Sequence, residues 1–376
     1  KKRPMETNVT GETVLSWARS KVEAEAGRRS WQPQSVLPTR LISVGKVGES
    51  MVRLRKDGDW DGENRGYATL SYCWGQIPQF KATKANIVDL YRGFPLTSLS
   101  QTVQDAVEVT RSLGLPFLWV DALCIIQDDE ADKSREIEQM ATIYRNTAVT
   151  IAALSATGAT KGFLRVPRPR PQSCEILLPL GSRDQVGTIS LAVEEPGVDL
   201  CEMPLCHRGW SFQELFLSPR ILLYSTDQLL WYSRKAGLQS VTDTNRVYRQ
   251  NFHAILSRSR VIPSVPADDT DKVSQEEALQ QSRKRAPILR FWATIITEYT
   301  QRQLTEREDR LRALAGVANH LEERWGDRYI YGMWRNSIPH LLQWRVAGCR
   351  TGKRSDRAPT WSWASLDSAV GYFGDL

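Results

Sequence analysis

Glu214 closes the segment Trp210-Ser211-Phe212-Gln213-Glu214, whose residue types suit bond cleavage at a sugar carbon. The spacing of Phe212, Leu215 and Phe216 predicts a helix over 210–217, stopped by Pro219, with those three side chains on its core face. Trp210 and Glu214 then share another face, one turn apart. Cleavage of an N-glycosidic bond passes through an oxocarbenium-like transition state, and a nearby carboxylate stabilises the growing positive charge. An aromatic wall that excludes water strengthens that interaction. The alternative is a Glu214 on an exposed helix face, or one paired with Arg208 or Arg220.

Other residues of matching chemistry lie earlier. Ser71, Tyr72, Cys73, Trp74 and Gly75 end an apolar run that begins at Tyr67, which places them at the carboxyl end of a strand, where open α/β sheets bind ligands. Gly75 lets backbone approach a phosphate, and Tyr72 or Trp74 offers a face to a base; both aromatics serve equally as buried anchors of the turn. No GxGxxG fingerprint accompanies them. Asp121, Gln127 and Asp128 follow a second apolar run and suit ribose hydroxyls, with Asp128 read first as a helix N-cap and Asp121 as a carboxylate that needs a partner if buried. Arg208 suits bidentate contact with a pyrophosphate. Glu136 shares a helix face with Met140 and Tyr144, which favours a structural pair over catalysis. Cys174, Cys201, Cys206 and His207 fit no zinc spacing, so no metal site is expected. Nothing in the spacing joins Cys73 to His207 as a nucleophile pair.

These residues need a scaffold. Runs at 67–75, 117–126 and 148–154 read as buried strands, and 100–110 and 128–144 as the helices between them. Strands apolar on both sides, alternating with helices, predict an α/β fold with a parallel sheet and flanking helices. Before it, 1–66 offers an amphipathic helix over 12–26 and a hairpin at 40–54, a segment expected to pack on the core. The Gly-, Pro- and Arg-rich stretch 156–200, with strand-like pieces at 175–178 and 187–193, reads as an insertion. Two further strands, at 221–224 and 228–232, complete a domain over 67–235. Residues 257–275 read as a mobile loop, and the rest of 236–376 as mainly helical and Trp-rich.

Composition narrows the classes. With 41% hydrophobic and 25% charged residues, the chain is neither disordered nor collagen-like. No run of 18 apolar residues exists, so no membrane span is expected. The net charge of +7 is scattered along the chain, which argues against a nucleic-acid face. The start lacks the apolar stretch of a secretion signal, so six free thiols in a cytoplasmic protein are expected. Lys1 stands where a complete chain would carry Met, so an excised fragment is also an expectation.

Four blocks carry a family resemblance. Leu70-Ser71-Tyr72-Cys73-Trp74-Gly75, the run from Leu118 to Asp128, Glu136 to Tyr144, and Arg208-Gly209-Trp210-Ser211-Phe212-Gln213-Glu214 resemble, in order and spacing, the fungal heterokaryon-incompatibility (HET) domain. Tyr299, Arg302, Leu304-Thr305, Asp309-Arg310-Leu311 and 358–365 resemble the region downstream of that domain in many fungal proteins. The resemblance implies a cell-death effector of fungal innate immunity and a distant likeness to TIR domains, with their flavodoxin-like sheet. Many TIR domains hydrolyse NAD+ at the nicotinamide–ribose bond, and Glu214 aligns with their catalytic Glu. It therefore implies an NADase with Glu214 catalytic, and Ser71, Tyr72, Cys73, Trp74, Gly75, Asp121, Gln127, Arg208 and Trp210 around the substrate. NAD+ would be substrate rather than cofactor. The active form would be a homo-oligomer, with an incompatibility partner protein, and the alternative is a self-associating module without turnover.

Overall fold

The computed structural model describes residues 8–26, 37–56, 66–168, 173–179, 186–192, 199–241, 262–263, 275–348 and 352–372. The chain opens with helix α1 (Glu12–Ala26) and the antiparallel hairpin β1 (Arg40–Ser43) and β2 (Met51–Lys56). Strand β3 (Tyr67–Ser71) is buried at every residue, as a strand covered on both faces must be. Helix α2 (Ile87–Arg92), the short β4 (Phe94–Pro95) and helix α3 (Gln101–Ser112) lead to β5 (Phe117–Trp119). A helical turn α4 (Asp121–Cys124), helix α5 (Glu130–Asn146) and strand β6 (Val149–Ala152) come next.

Two of these elements correct the sequence reading. The expected strand over 117–126 stops at Trp119, because Asp121 turns back to accept the Ala122 N–H (2.7 Å) and starts α4. An apolar run alone does not separate a buried strand from a buried helical turn. The cap of α5 is Asp129, which accepts the N–H groups of Ala131 (3.1 Å) and Asp132 (3.2 Å). Asp128 instead accepts from the Lys84 backbone N–H (2.8 Å) and ties down another loop.

The insertion forms a separate antiparallel hairpin, β7 (Ser173–Pro179) with β8 (Val186–Ala192). Helix α6 (Gly209–Leu217) then feeds β9 (Arg220–Tyr224), β10 (Leu229–Ser233) and β11 (Gly237–Ser240). Helices α7 (Gln275–Thr300) and α8 (Arg312–Trp325) make the C-terminal region largely helical, as expected. The loop expected over 257–275 falls almost entirely outside the described residues.

Nine strands form one sheet in the order β11-β10-β9-β6-β3-β5-β1-β2-β4. Its centre is parallel: β3 pairs with β5 and β6, and β6 with β9. Along the chain these four are second-first-third-fourth, the order of flavodoxin-like sheets, whose ligand crevice opens where the order reverses. The outer pairs are antiparallel, so the sheet is mixed rather than parallel throughout. Helix α6 is buried on every side, with Phe212 and Phe216 stacked at 6.0 Å, Phe212 against Tyr299 at 5.7 Å and Phe216 against Phe291 at 6.4 Å. The C-terminal helices thus cover the outer side of the helix that carries Glu214.

A buried ion network ties the N-terminal hairpin to this centre. Arg40, 5% exposed, reaches Asp132 at 2.5 Å and Glu136 at 3.4 Å, and donates to the Cys124 carbonyl at 2.7 Å. Glu136 is therefore structural, as its helix face suggested. Removing one partner of a buried pair strands the others, so Arg40→Met is expected to destabilise the fold by about 3 kcal/mol in urea unfolding. A loss below ~1 kcal/mol would mean that water screens this network.

Candidate functional site

The centre of the site is one guanidinium between two carboxylates. Arg208 precedes the first residue of α6, and its side chain turns back toward the carboxyl ends of β3 and β5. Its Nη1 lies 3.3 Å from Glu214 Oε1 and donates to the Tyr72 carbonyl at 2.9 Å, while Nη2 lies 3.3 Å from Asp121 Oδ2. Ser71 Oγ donates to the other oxygen of Glu214. Trp74 donates its indole N–H to Asp121 Oδ2 at 2.8 Å. Ser71, Tyr72, Trp74, Asp121, Arg208 and Glu214, distant in sequence, thus meet at the end of the central strand.

The remaining candidates lie around this cluster. Gln127 donates to the carbonyls of Asp121 (3.0 Å) and Ile125 (3.1 Å), which fixes the turn that presents Asp121. The half-buried Cys73 thiol is pushed up by burial and by Glu214, against the pull of Arg208. Gly75 has φ +75°, and a β-carbon there would sit 3.0 Å from the Gly158 Cα, so two loops meet through backbone at this point. Tyr72 is fully buried, with its hydroxyl donating to Gln79 at 3.1 Å, and acts as the anchor rather than the stacking face.

Three of the candidates have partners that the sequence did not specify. Glu214 does not lie on an exposed helix face; it is only 1% exposed, because α6 lies between the sheet and the C-terminal helices. Trp210, expected beside Glu214, donates its indole N–H to Asp309 at 3.2 Å instead. Arg208, expected to grip a pyrophosphate, is already engaged by two carboxylates and a carbonyl. Of the two arginines considered as partners of Glu214, Arg208 makes the pair. Arg220 donates to the carbonyls of Ala148 and Thr147 (3.2 Å to Thr147).

The structure adds residues to which the sequence reading assigned no site role. Arg302, half-buried after α7, donates to Ser211 Oγ at 2.8 Å and stands 5.0 Å above the Phe212 ring. Gln213 accepts the Gly316 N–H at 2.8 Å. Ser218 donates to the Glu214 carbonyl at 2.6 Å and shares a 2.6 Å hydroxyl contact with Thr150 of β6. The legible signal was the block containing Tyr299, Arg302 and Leu304, which the resemblance had already set apart.

Electrostatics bind these charges together. Burial pushes the Glu214 carboxyl up, Asp121 adds to that, and Arg208, the Ser71 hydrogen bond and Arg302 pull it back; the net direction is upward. Burial works against the Arg208 charge, but Glu214 and Asp121 outweigh it and hold its proton above the ordinary arginine value. The arrangement can hold a carboxylate dry, positioned and partly neutralised beside the crevice of the sheet. Among the described residues, no group of three or more His, Cys, Asp or Glu is placed to hold a metal ion, and no helix is long and apolar enough to cross a membrane.

A doubly wound α/β domain with an acidic group at its central strand end is the class that this fold and site define. Residues 67–214 match the family model described as heterokaryon incompatibility protein (HET). The chain thus carries a HET-like segment over those residues, and the match supports a role in heterokaryon incompatibility. The matched segment runs from the first residue of β3 to Glu214 itself. No curated protein and no solved structure matches the chain.

The raised Glu214 carboxyl makes a pH prediction. A folded-state value above the unfolded ~4.3 means that the native state holds this proton more tightly. Its contribution to stability is then full below about pH 4.3 and is lost as pH rises through the folded value. The stability of the wild type relative to Glu214→Gln should therefore fall from pH 4 upward, read by urea unfolding across that range. A difference that is flat or grows with pH would show that Arg208 outweighs burial.

Proposed function

We propose that this HET domain cleaves NAD+ at the nicotinamide–ribose bond, with Glu214 as the carboxylate that stabilises the oxocarbenium-like transition state. The observation that carries this reading is the junction of Ser71, Asp121, Arg208 and Glu214 at the carboxyl end of the central parallel strand. Ser71 orients the carboxylate through one oxygen, and Arg208 holds the other. Asp121 offsets the charge of Arg208, so that the trio keeps a net negative charge toward a cationic transition state. The half-exposed Trp74, fixed by Asp121, offers a face for the nicotinamide or adenine ring. The likeness to TIR domains supplies the substrate class. In this reading the turnover drives cell death in the cytoplasm.

Glu214→Gln keeps the shape and removes the charge. NAD+ turnover, read as nicotinamide release, should fall by about two orders of magnitude or more, ~3 kcal/mol of transition-state stabilisation. The acid limb of the wild-type pH profile should have its midpoint above the ordinary glutamate value, because burial pushes the carboxyl up. Unchanged turnover in Glu214→Gln would end the catalytic role.

One observation favours a second reading. Glu214 is 1% exposed and ion-paired, as a purely structural carboxylate would be. The domain would then signal by self-association, without turnover. The active enzyme is proposed to be a homo-oligomer, so nicotinamide release per chain should rise with protein concentration, followed alongside light scattering. Linear activity from a monomer would refute assembly, and no release at any concentration would favour the module.

A further inference from the structure

The family match ends at Glu214, yet the first turn of its helix is held by residues far outside that match. The Gly209 N–H donates to the Gln303 carbonyl at 2.7 Å, and the Gln303 N–H donates to the His207 carbonyl at 2.6 Å. Arg208 and Gln303 therefore pair as a short parallel bridge. Arg302 donates to Ser211 Oγ at 2.8 Å and reaches the Arg208 carbonyl at 3.5 Å. Leu304 packs where a β-carbon of residue 209 would stand, so only glycine fits there. No side chain caps α6 at Arg208; the Gln303 carbonyl takes that place from outside.

This segment is the outermost layer of the site. Gln301, Gln303 and residues 305–308 are exposed, and within the strap only Leu304 packs on the core, so lifting it disturbs one apolar contact. Its seat matters because Arg208, whose backbone it pins, is also the side chain that covers Glu214. We infer that residues 302–304 form a strap, positioned by Arg302, that keeps Glu214 closed, and that its release opens the carboxylate to a cationic substrate. The second half rests on the reading of Glu214 as the reacting group.

Charge balance gives the strap a second effect. With Arg302 seated over Phe212 and on Ser211, a second guanidinium stands on the helix that carries Glu214 and adds positive charge to its surroundings. With the strap lifted, Arg208 remains with both acids and the surroundings of Glu214 lose that second positive charge. A nicotinamide-bearing substrate carries a positive ring, and its cleavage builds positive charge on the ribose. The closed form disfavours both, and the open form favours both.

The test uses the full chain with Arg302→Met, and Leu304→Ala as a milder variant should the first fold poorly. Alkylation of each cysteine is followed by mass spectrometry, together with hydrogen exchange at residues 209–211 and nicotinamide release from NAD+. Half-buried Cys73 adjoins the cluster, while the fully buried Cys124 reports on the core. Cys73 labelling and exchange at 209–211 should rise about tenfold, the scale of losing a hydrogen bond from a charged group, with Cys124 unchanged. Faster nicotinamide release alongside would support the strap and the substrate together. The same opening with no release from either protein would leave the strap standing and remove the NAD+ reading. Unchanged labelling and exchange in both variants would overturn the strap, as would Cys124 reacting in step with Cys73. Opening accompanied by slower turnover would overturn its inhibitory role.

Discussion

Everything in this site depends on Arg208 standing between Glu214 and Asp121. A carboxylate at 1% exposure persists only with a compensating charge, and the guanidinium supplies it in a fixed planar geometry. That single side chain also joins the ends of two strands. It donates to the Tyr72 carbonyl just past the end of β3 and meets Asp121 at the start of α4.

The surrounding architecture exists in layers around that contact. The four parallel strands bring Ser71 and Asp121 to one end of the sheet, and α6 brings Glu214 down onto them. The C-terminal helices then cover α6 with aromatic rings, from Phe212 and Phe216 to Tyr299 and Phe291. Covering α6 raises the electrostatic strength of its carboxylate, because fewer waters screen it. It also removes the carboxylate from solvent, so chemistry there needs a movement. Residues 302–304, with Gln303 exposed and Arg302 and Leu304 partly exposed, are the proposed place of that movement, since local opening draws on weakly buried segments.

The N-terminal hairpin plays a comparable role from the other side. Arg40 grips the Cys124 carbonyl, directly behind the turn that presents Asp121, while satisfying Asp132 and Glu136 on α5. Segments on both flanks of the matched HET region therefore hold its acidic residues in place. A domain defined by residues 67–214 alone would lack both supports.

How much of this was legible in the sequence depends on the range of each interaction. Helix α6, strands β3 and β6 and the two strand pieces of the insertion were readable, because apolar spacing and local blocks are short-range signals. The end of β5 at Trp119 was not readable, since a buried helical turn and a buried strand look alike in an apolar run. Nor was the cap of α5, where two adjacent aspartates compete and a contact from Lys84, 44 residues away, takes Asp128. The sequence by itself determined the α/β class and the helix that carries Glu214. Only the tertiary structure decided that Glu214 is buried, that Trp210 turns to Asp309, and that Arg302 reaches Ser211. Those outcomes depend on contacts across 90 or more residues, from Ser211 to Arg302 and from Trp210 to Asp309, which no local pattern encodes.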